Sequence, residues 1–437
     1  MTTKPQPPVQ TSADQTMCRR PDAARPATAY QRLSRASVAL TAVILLGGLS
    51  PSAQAGPWAE PGDPGLRHDL QLLVDHGVMN IPLTTWPLSY PDIYAGLKSV
   101  DDDKPLPPHI QSALQRVKAR VTRAADGRLR ASVEVGGNTE PEAFRGFADT
   151  PRGDAELAVG AEGGNDRVAF KLKMTTVMNA IDGKTVRFDD SHLSMLLGNW
   201  VISLAAVDRW WGPGWDGSLI LSNNARPVPA IVLQRSQSTP FDLPVLNWLG
   251  PWQLTTFMGQ LEHDRYVPDA LLWGMRFNFR PLPGLEIGLS RTAQWCGDGR
   301  PCDLSTFGDL LLGNDNDVDP VTGSADQPGN QLGGFDLRWA ATSLNVPAAI
   351  YGQLIGEDEA DGWPSKYLGL GGIEAWGAWQ DTGASWRGFF ELAYTTADLL
   401  SDRDHYNVVR RRTGRRLTCR GAPLDLANPD RGRAGPV

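Results

Sequence analysis

The residues best suited to chemistry lie between positions 208 and 226, in Asp208-Arg209-Trp210-Trp211-Gly212-Pro213-Gly214-Trp215 and Ser222-Asn223-Asn224-Ala225-Arg226. Flat aromatic rings on a turn, next to amides and charged groups, suit a sugar. Its C–H face stacks on indole and its hydroxyls need hydrogen-bond partners. Trp210, Trp211 and Trp215 are therefore candidates for a saccharide platform, with Asp208, Arg209, Asn223, Asn224 and Arg226 as polar partners. A structural reading competes with this one. The tryptophans would belong to an interfacial girdle or plug an interior, and Gly212-Pro213-Gly214 would simply be a turn.

The long stretch from Trp295 to Gln331 is a second candidate, because long loops are where folds meet ligands. Its Asn314-Asp315-Asn316-Asp317 and Asp319 offer oxygen ligands of the kind Ca²⁺ takes, but the Gly and terminal Glu of an EF-hand register are missing. A solvated loop is the expectation, with no metal and no cofactor. Cys296 and Cys302 flank a five-residue turn. In an oxidising compartment they are expected to form a disulfide, and the rival metal pair has neither a companion His nor a Cys-x-x-Cys spacing. Catalysis finds no motif. There is no G-x-S-x-G, H-E-x-x-H or P-loop, no carboxylate pair stands out for glycoside hydrolysis, and the 6 histidines are scattered. A net charge of −7 implies no basic surface for nucleic acid.

These residues need a scaffold, and the scaffold reads as exported. Arg32 and Arg35 precede an apolar run from Val38 to Leu49, then Ala53-Gln54-Ala55, so residues 1–55 read as a signal peptide with a long leading region, cleaved after Ala55. The start could also lie at Met17. Residues 56–127 read as helical. Asp63-Pro64 offers a cap and a first-turn proline, with Leu66, Leu70, Leu73 and Val74 on one face and Gly77 as a stop. A second helix is expected after Ser89, and a third from Pro108 with Ile110, Leu114, Val117 and Val121 on one stripe.

From about Arg128 to Val409 the period becomes two. Trp273, Met275, Phe277 and Phe279 alternate with Arg276, Asn278 and Arg280, and Phe335, Leu337 and Trp339 alternate with Asp336 and Arg338. Leu285, Ile287 and Leu289 oppose Glu286 and Ser290. Trp386, Phe390, Leu392 and Tyr394 oppose Arg387 and Glu391, and Phe170, Leu172 and Met174 oppose Lys171 and Lys173. A soluble sandwich would alternate in the same way. Strands of about 9–11 residues, charges on one face of strand after strand, and tight turns set against long loops favour a transmembrane antiparallel β-barrel.

With these features, the chain resembles the Wzi-type capsule assembly family. The resemblance is carried by the loop at 206–227 and by Leu249-Gly250-Pro251-Trp252, Gly274-Met275-Arg276, Glu286-Ile287-Gly288-Leu289-Ser290-Arg291, Gln294-Trp295-Cys296-Gly297-Asp298-Gly299-Arg300-Pro301 and Gly313-Asn314-Asp315-Asn316. It extends over about residues 57 to 408. It implies a mainly β fold, an outer-membrane barrel of 18 strands, with residues 56–127 a small periplasmic helical bundle. The implied role is that of a non-catalytic lectin holding capsular or exopolysaccharide on Gram-negative cells. The implied partners are that polysaccharide, outer-membrane lipid and the barrel assembly machinery. A sugar porin is the alternative.

The C-terminus departs from this pattern. Residues 410–437 hold eight arginines, Cys419 and no aromatic residue. Outer-membrane barrels usually end on a strand with a terminal aromatic, and the span from Arg128 to Val409 accommodates about 13 or 14 strands at roughly 20 residues each. The composition reads as a disordered, out-of-frame tail on an incomplete barrel. A genuine basic tail on a smaller barrel is the other reading.

Overall fold

The computed structural model describes residues 56–395, apart from 102–103, 140–141, 143, 181, 266, 313–330, 361–362 and 380–382. The expected signal peptide, the acidic run at 314–319, His405, Cys419 and the arginine-rich tail lie outside the described residues.

Three helices form where capping and periodicity place them. The first, α1 (Pro64–Asp75), starts with the Asp63 carboxylate accepting the Leu66 N–H at 2.9 Å. It stops before Gly77, whose φ of +68° is cheap only for glycine. The second, α2 (Tyr90–Lys98), buries Ile93 and Leu97, and α3 (Pro108–Ala125) buries Ile110, Ala113, Leu114, Val117 and Val121. These stripes are too short to hold a helix in water alone. They join one apolar cluster with Trp86, Phe147 and Trp210, which supplies the packing surface.

The strands begin with short β1 (Trp58–Ala59), β2 (Thr85–Trp86) and β3 (Leu88–Ser89). The next are β4 (Arg130–Gly137), β5 (Ala155–Gly164), β6 (Val168–Met178), β7 (Val186–Arg187), β8 (Ser191–Leu197) and β9 (Trp200–Ala206). After β10 (Trp210–Trp211) and β11 (Ala230–Arg235) come β12 (Trp252–Gln260), β13 (Leu271–Leu282) and β14 (Leu285–Trp295). The series ends with β15 (Gln331–Ala340), β16 (Ala348–Ala360), β17 (Trp363–Ala378) and β18 (Ser385–Tyr394). Among the described residues, 14 strands form one antiparallel sheet running from β4 to β18 in chain order, with β7 a side branch on β6. Strand β10 leaves this sheet to pair with β2, and β1 pairs with β3.

The two faces of the large sheet differ as their alternation requires, but in the sense opposite to a soluble sandwich. Phe170, Leu172, Met174, Met275, Leu289, Phe335, Leu337, Ile350, Ile373, Phe390 and Leu392 are exposed. Their neighbours Arg276, Asn278, Glu286, Ser290, Asp336, Arg338, Glu374 and Glu391 are buried. An apolar face left uncovered over so many strands has no rationale in water and an obvious one in lipid.

One element was not anticipated. Within the long loop, α4 (Leu304–Leu312) covers Trp273 and Trp295 with Phe307 and Leu310. Asp303 begins it, accepting the Thr306 N–H at 2.9 Å. Cys296 and Cys302 are joined just before it, with Cα atoms 4.4 Å apart.

Candidate functional site

The polar face of the sheet is occupied by the chain itself. Two largely irregular segments, 79–88 and 207–228, lie against it, and backbone taken out of water needs a partner for every N–H and C=O. Side chains of the sheet supply several of them. Glu286 accepts the N–H of Leu83 at 2.9 Å, the N–H and hydroxyl of Thr84 at 2.8 and 2.7 Å, and the Asn278 amide at 2.9 Å. Arg276 donates to Thr85 Oγ1 at 2.6 Å and to both oxygens of Asp336 at 2.5 and 3.0 Å. Gly288 leaves room for that pair, since a Cβ there would stand 2.5 Å from the Arg276 guanidinium and 2.7 Å from each Asp336 oxygen and would push those side-chain ends aside.

The aromatic loop is held in the same manner. Glu391 accepts the N–H groups of Trp215, Asp216 and Gly217 at 2.5, 3.0 and 3.2 Å. Gln353 accepts from Leu219 N and donates to Trp211 O, both at 2.8 Å. From α1, Arg67 donates to the carbonyls of Pro213 and Gly214 at 2.7 and 2.8 Å. Gly214 must be glycine, because a Cβ would lie 2.2 Å from Gly217 O. Arg338 ties Asp75 of α1 (2.7 and 2.8 Å) to Glu374 (2.7 Å).

This packing decides what the sequence-derived candidates can do. Trp210 and Trp211 have 0% of their surface exposed and Trp215 has 7%. Trp210 donates Nε1–H to Gly214 O and sits edge-on to Phe147, while Trp211 sits edge-on to Phe257. Trp215 donates to Glu374 at 2.8 Å, with the Arg67 guanidinium 4.2 Å over its ring. None of the three offers a stacking face to a ligand here; apolar burial within the sheet has claimed the rings. Arg209 is also interior, its guanidinium 4.3 Å over Phe257. Asn223 is buried and fixed by donation to Phe147 O at 3.0 Å.

Of the remaining candidates, Asp208 lines a cleft, and Asn224 and Arg226 bond residues of its wall. Arg152 Nη1 donates to Asn224 O at 3.1 Å, and its Nη2 to Asn223 O and Ala225 O, each at 3.0 Å. It also pairs with Asp208 at 3.3 Å. Arg226 grips Asp189 through two bonds of 2.9 and 2.8 Å. Lys173 on β6 bridges Glu134 on β4 and Asp190 at 2.8 and 3.1 Å. The cleft is walled by six carboxylates (Glu134, Asp149, Glu156, Asp189, Asp190, Asp208) and four cations (Arg145, Arg152, Lys173, Arg187). Carboxylates and guanidinium groups at mixed spacing bind hydroxyl pairs from both sides, accepting and donating. Arg145, Arg152 and Arg187 escaped sequence reasoning. No motif surrounds them, and only the pairing of β4, β5 and β6 brings their segments to the aromatic loop.

The excess of acid has a consequence at Asp208, which lies in the loop after β9. Burial pushes its carboxyl up to about 7, aided by Asp190 and Asp149 and opposed by Arg152 and Arg145. A carboxyl raised in the folded state stabilises it below the ordinary value of 3.8, and this contribution is lost as pH rises through about 7. Asp208→Asn removes that titration. The thermal midpoint of the native protein is expected to fall more between about pH 4 and pH 8 than that of the variant. Equal slopes in a melting series would show that Asp208 is ionised throughout.

Comparison with known proteins gives a consistent picture. The family model described as "Capsule assembly protein Wzi" matches residues 124–411. An "Uncharacterized 55.8 kDa protein in cps region" of Klebsiella pneumoniae is 34% identical over 330 residues, 74% of this chain. The match spans 63% of that relative's length. Among solved structures, Wzi of Escherichia coli superposes with a TM-score of 0.68 at 31% identity, covering 79% of this chain and 74% of the other. That protein is described as an outer-membrane protein involved in group 1 capsule assembly and a carbohydrate-binding β-barrel. With the family model matched across the large sheet, this chain belongs to the Wzi capsule assembly family.

Proposed function

We propose that the protein is an outer-membrane, non-catalytic polysaccharide-binding protein that keeps capsular or exopolysaccharide at the cell surface. The inverted sheet carries this reading. Its apolar face is exposed while its polar face is buried under the protein's own chain, an arrangement suited to lipid outside and a plugged interior. The sheet is then part of a closed barrel, with helices α1 to α3 as its periplasmic bundle and residues 1–55 as the export signal. Membership of the Wzi family and the description of the Escherichia coli protein support the role in capsule assembly. Saccharide contacts fall to the cleft around Asp208, Arg152 and Arg226, with Asn224 at its margin.

The sugar-porin alternative is disfavoured by the filled polar face. Glu286, Arg276, Gln353 and Glu391 are spent on holding segments 79–88 and 207–228 rather than on lining water. Deletion of the gene is expected to release capsule into the medium while leaving permeability to small sugars unchanged. Retained capsule with reduced sugar uptake would favour the porin.

A further inference from the structure

We propose that the connection between β11 and β12, residues 236–251, is a fixed membrane-interface anchor, seated in the lipid leaflet at the end of the sheet that carries the helices. The proposal rests on the membrane reading above. The segment Thr239-Pro240-Phe241-Asp242-Leu243-Pro244-Val245-Leu246-Asn247-Trp248-Leu249-Gly250-Pro251 contains one charged residue, Asp242. Leu243, Val245 and Trp248 are 61%, 81% and 62% exposed. The connection at the other end of β12 is the reverse, with Glu262, His263, Asp264, Arg265 and Asp269 between Leu261 and Ala270. One strand thus ends in a polar loop fit for water and, at the opposite end, in an apolar one unfit for it.

The exposure is built rather than loose. Arg235 donates to Thr239 O at 2.9 Å, Thr239 Oγ1 at 2.9 Å and Trp252 O at 2.8 Å, bracketing the segment. At its far end Arg280 N–H donates to Pro251 O at 2.9 Å. Gly250, at φ +65°, lets the backbone close on β13, where a Cβ would meet Arg280 O at 2.1 Å. The Asp92 carboxylate of α2 accepts the Ser238 N–H at 2.7 Å, which places the segment at the helical end.

The occupant follows from where the segment lies. It folds back over the apolar face instead of extending beyond the sheet. Phe241 stacks on Trp252 with centroids 4.3 Å apart, and Trp248 meets Phe279 edge-on at 6.1 Å. Trp252 and Phe279 are register partners on the face that presents Met275 and Phe277. The exposed side chains therefore continue the lipid-facing surface, and a tryptophan with aliphatic neighbours is the composition that settles at the headgroup–acyl boundary. A protein partner would find almost no charge here to read.

The test uses the full chain in phospholipid vesicles, with Cys18→Ser and Cys419→Ser and the Cys296–Cys302 bond intact. Three variants, Val245→Cys, Phe335→Cys on the mid-sheet apolar face and Asp264→Cys in the polar loop, each carry an environment-sensitive fluorophore. The label at 245 is expected to lose roughly half its emission to lipid bearing a shallow nitroxide and to resist iodide, as an interfacial residue should. The label at 335 is expected to respond best to a deep nitroxide, and that at 264 to iodide alone. Lipid quenching at 335 with iodide quenching at 245 would overturn the anchor and leave the membrane reading standing. A label at 245 shielded from both quenchers would mean that protein covers the segment, which also overturns it. Absence of lipid quenching at both 335 and 245 would remove the membrane reading itself, and the anchor with it.

Discussion

Replacing Glu286 with alanine is expected to lower stability by about 3–5 kcal/mol, the usual result of removing one member of a buried, hydrogen-bonded charge network. The side chain is almost wholly buried and serves Leu83, Thr84 and Asn278 at hydrogen-bond distance, with the Arg280 guanidinium at 3.4 Å. Alanine leaves two backbone donors, an amide and a guanidinium without their acceptor, so the loss exceeds that of one surface ion pair. Because Leu83 and Thr84 belong to the inserted segment, their release should also loosen what fills the polar face. Denaturant unfolding in detergent, followed by tryptophan emission, measures the first effect, and proteolysis near residue 83 measures the second. A change below about 1 kcal/mol, the scale of exposed pairs, would show that the segment is held by packing alone.

The second large effect is expected at Trp210. Truncation to alanine should cost about 3–5 kcal/mol, the range for deleting a large buried aromatic. Its ring is fully buried, packs edge-on to Phe147, and donates to Gly214 O at 2.9 Å. Trp210→Phe should restore part of the loss by refilling volume, though not the hydrogen bond. The same pair of variants separates the two roles open to this residue. An interior residue lowers the melting temperature, with saccharide affinity per folded molecule unchanged. A stable Trp210→Ala protein with lost affinity would return the residue to a binding platform.

The fold was legible where one interaction dominates. The caps at Asp63-Pro64 and the stripe Ile110, Leu114, Val117 and Val121 mark helices because short-range geometry sets them. Alternation in β13, β15 and β18 marks strands because every second side chain shares a face. Alternation carries no direction, so it left open which face meets solvent, and only the pairing of the strands resolves that. The aromatic loop left two readings for a related reason. Tryptophans beside a Gly-Pro-Gly turn read alike on a surface and in an interior, and the burial of these three depends on Glu391, Gln353 and Glu374, more than 130 residues downstream. The cleft was half legible. Asp208 and Arg226 came from the sequence, whereas Arg152 reaches Asp208 only through long-range pairing and Arg187 meets Arg226 only through Asp182, which both contact.

Retention of purified capsular polysaccharide by vesicles carrying the protein tests the central claim most directly. Labelled polysaccharide is mixed with vesicles holding the full chain and with empty vesicles, and what sediments is counted. Saturable retention that requires the protein, and that falls at least about tenfold when Arg152 and Asp208 are both replaced by alanine, is the expected result; removing a guanidinium and a carboxyl that hydrogen-bond in the cleft accounts for a change of that size. Equal sedimentation with and without the protein would contradict a polysaccharide-binding role for this chain.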